Sequence, residues 1–222
     1  MVHGSYGMTS IYSDTNNYSW LWSIDHRLWT FLQVTMNFPT IILASKSPRR
    51  QELLRLMDLE FRVVLKEVDE SYPDHLKPEE VAVYIAEKKA HAFDETITAE
   101  IVLTADTIVC VENRILGKPD DANHAIEMLQ LLSGRMHQVI TGVCLLYKHQ
   151  YHTFYDVSEV FFGELTDEEI TEYVNKYQPF DKAGSYGIQE RIGLIGIERI
   201  NGSYTNVVGL PTEMLYRELL KL

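Results

Sequence analysis

From residue 41 onward, apolar positions fall into two alternating rhythms. Ile41, Ile42, Leu43 and Ala44 form a short unbroken apolar run, the pattern of a buried strand. Ser47 and Pro48 follow as a hydroxyl N-cap and a proline at the first helical position, and Leu53, Leu54 and Met57 then recur at helical spacing. Residues 61–65 read as a strand leading into Val68-Asp69-Glu70. Pro78 opens a helix expected to run to about residue 93, with Val81, Ile85, Lys89 and Ala92 along one side. Residues 101–111 form a strand with Asp106 at its middle. Asp120 or Asp121 caps a helix that turns Ala122, Ala125, Ile126, Leu129 and Leu132 inward and closes at Gly134. Residues 139–147 and 151–162 read as strands paired about a turn. Thr166-x-x-Glu169 is a capping box for a helix that buries Ile170, Tyr173, Val174 and Tyr177. A glycine-punctuated stretch over 181–211 follows, and the last helix carries Leu215, Leu219 and Leu222. This alternation predicts an α/β fold, with a mixed sheet because its central hairpin is antiparallel.

Residues 1–38 do not share the rhythm. They are rich in Ser, Thr, Asn, Tyr and Trp, and Asp25, His26 and Arg27 interrupt the apolar pieces around Trp20-Leu21-Trp22 and Leu28-Trp29. No apolar run there approaches the ~20 residues a bilayer span needs. The basic start and small-residue cleavage site of a signal peptide are missing. The expectation is a poorly ordered or accessory extension over 1–38, or translation assigned from too early a start with Met36 the natural one, and a domain over 39–222.

The chain has 222 residues, enough for one sizeable core or two small lobes. Its formal net charge is −12, which argues against a nucleic acid polymer as partner, because phosphate backbones are held by positive surface. The same charge leaves room for one small nucleotide in a locally basic cleft. Cys110 and Cys144 each sit in apolar runs and read as buried free thiols of a reducing compartment, so the expected location is cytoplasmic, with no membrane partner.

Several polar residues do not fit the burial pattern. Arg49 and Arg50 stand in the first turn of the helix that Ser47 opens, where each faces the positive end of the helix dipole at a cost of ~0.3–1 kcal/mol. A bound anion would reverse that sign, since free N–H groups, the Ser45 and Ser47 hydroxyls and the guanidinium groups would converge on it. Asp106 interrupts an apolar strand, which is expensive unless the carboxylate is paired or binds a metal. Glu70 follows a strand, Lys89 shares the apolar side of its helix, and Gly117-Lys118-Pro119 presents a lysine on a tight turn. There is no Gly-x-x-x-x-Gly-Lys-Ser/Thr, no Gly-x-Gly-x-x-Gly and no Gly-x-Ser-x-Gly, so P-loop, dinucleotide-binding and serine-nucleophile chemistries find no support. Serines, arginines and lysines suited to phosphate, with two carboxylates suited to a divalent metal and a water, are what cleavage of a phosphoanhydride needs.

Eight segments then occur together and in order: Ser45-Lys46-Ser47-Pro48-Arg49-Arg50, Val68-Asp69-Glu70, Ala86-Glu87-Lys88-Lys89-Ala90, Ala105-Asp106-Thr107, Gly117-Lys118-Pro119, Ser133-Gly134-Arg135-x-His137-x-Val139-x-Thr141-Gly142, Asp181-Lys182-Ala183-Gly184-x-Tyr186-Gly187-Ile188-Gln189 and Gly202-Ser203-x-x-Asn206-Val207-Val208-Gly209-Leu210-Pro211. The set resembles the Maf family of nucleoside triphosphate pyrophosphatases, also called septum formation inhibitor proteins, over residues 41–222.

The resemblance implies a two-lobed mixed-sheet fold like that of inosine triphosphate pyrophosphatase, with the nucleotide in a cleft between the lobes. It implies hydrolysis of a nucleoside triphosphate to the monophosphate and pyrophosphate with a divalent metal, Mg²⁺ or Mn²⁺. By position Asp106 matches the proton acceptor, Lys89, Lys118 and Glu70 accompany it in catalysis, and Ser45, Ser47, Arg49 and Arg50 match the substrate-binding segment. Glu70 and Asp106 are the implied metal-side carboxylates. Arg49, Thr107 and Gln189 match the residues of the branch that acts on dTTP and UTP, not those of the branch that prefers 7-methyl-GTP. Gln189, with a donor and an acceptor, suits a pyrimidine edge carrying O4 and N3–H. Thr107 should point to the opposite face of its strand from Asp106. The competing class is a nucleotide-binding regulator of cell division without turnover, against which the intact Asp106, Glu70, Lys89 and Lys118 argue. A homodimer is left open.

Overall fold

The computed structural model describes residues 38–94 and 99–222, so the extension expected over 1–38 lies outside the described residues except for its last position. Phe38 packs against the main core and edge-on to Tyr216, ring centroids 6.4 Å apart. Residues 38–222 form one compact unit.

The elements follow the predicted rhythm. They are β1 (Ile41–Leu43), α1 (Pro48–Leu56), β2 (Phe61–Val63), α2 (Pro78–His91), β3 (Ile101–Val111), β4 (Arg114–Leu116), α3 (Ala122–Leu132), β5 (Met136–Tyr147), β6 (Gln150–Phe162) and α4 (Asp167–Tyr177). The glycine-punctuated stretch then holds a single 3-10 turn (Ala183–Ser185), α5 (Arg191–Gly196), β7 (Ile197–Asn201) and α6 (Tyr204–Val208), and α7 (Thr212–Leu219) closes the chain. Among the described residues seven strands form one mixed sheet in the order β2-β1-β3-β5-β6-β7, with β4 paired to β3. β1 runs parallel to β2 and β3, whereas β3, β5, β6 and β7 are antiparallel neighbours.

The alternation of side chains along β3 sorts the core. Leu103, Ala105, Val109 and Val111 join the main cluster with Leu53 and Leu54 of α1, Leu129 and Leu132 of α3, Tyr173 and Val174 of α4, and Leu215 of α7. The other face packs on α2: Val102 and Cys144 meet Ala86 and Ala90, and Ile108 and Ile140 meet Val81, Ala82 and Ile85. Cys110 and Cys144 are buried and free. Among the described residues no helix is long and apolar enough to cross a membrane.

One edge of β3 is used twice with a gap between. β1 pairs with it at Ile101, Val102 and Leu103, β4 at Val109, Cys110 and Val111, and β5 occupies the opposite edge throughout. Asp106 and Thr107 lie in that gap. A cavity of about 1120 Å³ opens there. The β1–α1 junction, the 65–70 segment, the end of α2 and residues of the 181–188 and 207–209 segments line it. The expected cleft is thus present, with both of its sides standing on one continuous sheet.

Candidate active site

Asp106 leaves β3 on the α2 face and meets Lys89 there, Oδ1 to Nζ at 2.7 Å. Lys89 also holds Glu70 Oε1 at 2.9 Å, and Glu70 Oε2 stands 4.0 Å from Lys118 Nζ. The four residues come from a long loop, a helix, a strand and a turn, and the fold brings them into one line. The Lys89 side chain is 18% exposed and that of Asp106 15%, so the pair is largely withdrawn from water. Pairs so placed rarely improve stability over an apolar replacement. Burial raises the Glu70 carboxyl, but the hydrogen bond and charge of Lys89 and the charges of Lys118 and Arg50 outweigh it and hold Glu70 below its ordinary range.

The helix start is built as the sequence predicts. Ser47 caps α1 by accepting from the Arg50 N–H at 3.4 Å, and Ser45 Oγ accepts from the Ser47 N–H at 3.2 Å. Pro48 occupies the first turn, which contains no acidic residue. Arg49 makes one loose ion pair, 3.6 Å to Asp181. Lys46, Ser47, Arg49, Glu70, Lys89 and Lys118 all line the cavity, so cations and hydroxyls converge beside the Asp106 carboxylate.

Arg50 lines the cavity as well, but its N–H groups turn largely to the protein. Its Nε donates to Gly209 O at 2.8 Å, Nη1 to Ala105 O at 2.8 Å and to Ser45 Oγ at 3.2 Å, and Nη2 to Thr107 Oγ1 at 3.0 Å. Burial pulls the guanidinium down from its ordinary range, opposed by the nearby charge of Asp106. Most of its fork is thus given to protein acceptors and fills the gap on the β3 edge, while the side chain borders the cavity. Neighbouring arginines in one helical turn point to different tasks, which no periodicity could separate. Thr107 does face away from Asp106, toward Arg50 and toward Thr141, whose Oγ1 is 2.9 Å away.

Gln189 is not brought to the site. Its side chain is exposed and does not line the cavity, although Gly187 and Ile188 just before it do. Those two are held by a group that the sequence analysis passed over. Lys182, buried, pairs with Asp181 at 2.7 Å and Glu190 at 3.1 Å. The Tyr173 hydroxyl donates to Glu190 and accepts from the Gly187 N–H at 3.1 Å. A lysine inside a glycine-rich segment was the available signal. His137, at the start of β5, is buried and shares a 2.7 Å hydrogen bond with Tyr186. Burial lowers it to about 4, so it is neutral and structural.

Among the described residues no group of three or more His, Cys, Asp or Glu side chains is arranged to hold a metal ion. The Lys89 ammonium nevertheless marks a point within 2.9 Å of both the Glu70 and Asp106 carboxylates, so one positive charge can sit between them. Mg²⁺ is commonly held in that way, by one or two carboxylates together with substrate phosphates and water.

A mixed α/β sheet whose strand edge opens onto paired carboxylates, flanked by cations at a helix start, defines a protein built to receive a polyphosphate. A Maf-like protein family model matches residues 40–222, and the chain belongs to that family. A dTTP/UTP pyrophosphatase of Flavobacterium psychrophilum is 54% identical over 181 residues, covering 81% of this chain and 93% of that protein. A dTTP/UTP pyrophosphatase of Bacteroides fragilis is 53% identical over 184 residues, covering 82% and 95%. The solved structure of a HAM1 protein from Coxiella burnetii shares 18% identity, covers 83% of this chain and all of that one, and superposes with a TM-score of 0.44, too low to decide the topology.

Proposed function

We propose that residues 39–222 hydrolyse nucleoside triphosphates, dTTP and UTP first among them, to the monophosphate and pyrophosphate. The observation that carries this reading is the convergence of Asp106 and Glu70 on Lys89 beside the capped start of α1, in a cavity large enough for a nucleotide. The names of relatives that are 54% and 53% identical over 81% and 82% of this chain point the same way.

In this reading the triphosphate lies along Ser45, Ser47, Arg49 and Lys118, and its charge offsets the unfavourable cation at the helix start. Asp106 accepts the proton of a water that attacks the α-phosphorus, the α–β anhydride bond breaks, and pyrophosphate departs. Lys89 keeps the Asp106 carboxylate charged and oriented. A divalent cation, Mg²⁺ or Mn²⁺, would be held by Glu70 and Asp106 and supplies charge neutralisation at the phosphate oxygens. The base occupies the less polar lining, Val139, Tyr186, Ile188 and Val208. Uracil and thymine differ by a methyl, a difference worth only ~1–3 kcal/mol in a pocket, so both are accepted. Arg49 and Thr107 remain the specificity residues of this proposal, whereas Gln189 reaches the base only if its segment turns inward on binding.

Product analysis with dTTP tests the reading. Pyrophosphate and dTMP in equal amounts support it, orthophosphate as first product makes the protein a phosphatase, and nucleotide binding without turnover returns it to the regulator class.

A further inference from the structure

We infer that Arg50 is a positioning residue, which fixes the 207–209 wall of the cavity against β3, and that Thr107 affects base selection through it. This inference rests on the proposed function. The first observation is saturation. A guanidinium has five N–H groups, and four of those of Arg50 are given to Gly209 O, Ala105 O, Ser45 Oγ and Thr107 Oγ1. Bidentate recognition of phosphate needs two parallel N–H groups, and only one remains. Among the described residues, Arg49, the adjacent residue, has no such commitment beyond a 3.6 Å contact with Asp181.

The second observation is where the bonds lead. Gly209 lines the cavity together with Val207 and Val208, and its carbonyl is taken by Arg50. The other end of the same short segment is tied to the sheet as well. Thr141 Oγ1 donates to Asn206 O at 3.1 Å, and Asn206 Nδ2 donates to Val139 O at 3.0 Å and Ser158 Oγ at 2.9 Å. Thr107 joins the two ties, accepting from Arg50 and lying 2.9 Å from Thr141 Oγ1. Gly209 has φ +124°, and a Cβ added there would stand 3.6 Å from Thr107 Oγ1 and 3.8 Å from Arg50 Nε, so both residues border the wall at this point. Releasing either tie moves Val207 and Val208 against the base and leaves the phosphate-binding cations in place.

The test separates base selection from phosphate binding. Thr107→Val, Arg50→Lys and the double variant are assayed with UTP, dTTP and ITP, with inorganic pyrophosphate as an inhibitor common to all substrates and melting temperature as the check on folding. Each single variant is expected to lower the kcat/KM preference for UTP over ITP about tenfold, the scale of one lost buried hydrogen bond. Pyrophosphate inhibition should stay within about twofold of wild type, and the double variant should add nothing, because neighbours in one network do not act additively. Weakened pyrophosphate inhibition in Arg50→Lys with an unchanged preference overturns the inference and makes Arg50 a phosphate ligand. Additive effects of the two substitutions overturn the role of Arg50 as intermediary for Thr107. Should Arg50→Lys fail to fold, Thr107→Val paired with Thr141→Val interrupts the same chain and carries the comparison with the same outcomes. A wild-type protein that cleaves no triphosphate refutes the proposed function alone, since the same preference is then read from the Kd values of UTP and ITP.

Discussion

Gly142 stands directly opposite Asp106 in the β3–β5 ladder, and α2 crosses it so closely that a side chain at 142 would lie 2.3 Å from the Ala82 backbone. The helix that brings Lys89 to Asp106 thus settles on the sheet at the glycine paired with that aspartate. Its close approach also lets Thr104 Oγ1 donate to Ala86 O at 2.6 Å. Gly142→Ala must push α2 away. It should destabilise the fold by about 1–3 kcal/mol, the usual range for overpacking. It should also lower turnover by more than the loss of folded protein explains. Melting temperature and kcat on the same preparation check this, and an unchanged kcat in folded protein would show that the height of α2 does not set the Lys89–Asp106 contact.

Asp106 is the proposed proton acceptor. Asp106→Asn keeps the shape of the side chain and should keep the fold with a lowered melting temperature, since Lys89 loses one carboxylate partner and retains Glu70 at 2.9 Å. Turnover should fall ~10²–10⁴-fold, the scale of a lost general base. A folded Asp106→Asn protein working at the wild-type rate removes Asp106 from the chemistry.

Arg49→Ala separates phosphate binding from folding. Arg49 makes only a long contact with Asp181 and crowds the positive end of α1. Its removal should leave stability unchanged or raise it by ~0.3–1 kcal/mol. KM for the triphosphate should rise in the same protein. The opposite pattern, a less stable protein with an unchanged KM, would place Arg49 in the scaffold.

His137 makes stability depend on pH. Burial holds it at about 4, below the ordinary 6.5 of the unfolded chain. Between those values the unfolded chain binds more protons, so stability rises with pH there: the contribution is full above about pH 6.5 and is lost as the pH falls toward 4. The span corresponds to roughly 3 kcal/mol. His137→Gln retains a partner for the Tyr186 hydroxyl and should flatten the dependence relative to wild type. Equal slopes of melting temperature against pH in the two proteins would rule out His137 as its source.

Much of this was legible in the chain because the signals were local. Ser47 and Pro48 announce α1, Thr166 and Glu169 form the capping box of α4, and the bounds of β3 coincide with its apolar run. β4 and β7 escaped the pattern, because the one is three residues long and the other has no buried position and lies within the glycine-punctuated stretch. The line Glu70–Lys89–Asp106 could be suspected from misplaced charges, each costly unless paired. The task of Arg50 could not, since it depends on Gly209, which is 159 residues away and is brought near only by the closed fold. Lys182 was hidden for a similar reason: its partner Glu190 is itself held by Tyr173 of α4.

The most direct measurement is pyrophosphate release across a panel of dTTP, UTP, CTP, ITP and 7-methyl-GTP, with Mg²⁺ or Mn²⁺ present and the nucleotide product identified in each case. Cytosine reverses the donor and acceptor that uracil and thymine share, so CTP tests the base pocket and ITP and 7-methyl-GTP test its size. The account predicts one pyrophosphate per monophosphate, with dTTP and UTP showing the highest kcat/KM. A panel led by 7-methyl-GTP or ITP would contradict the substrate assignment. A folded protein that releases no pyrophosphate from any of the five would contradict the central claim.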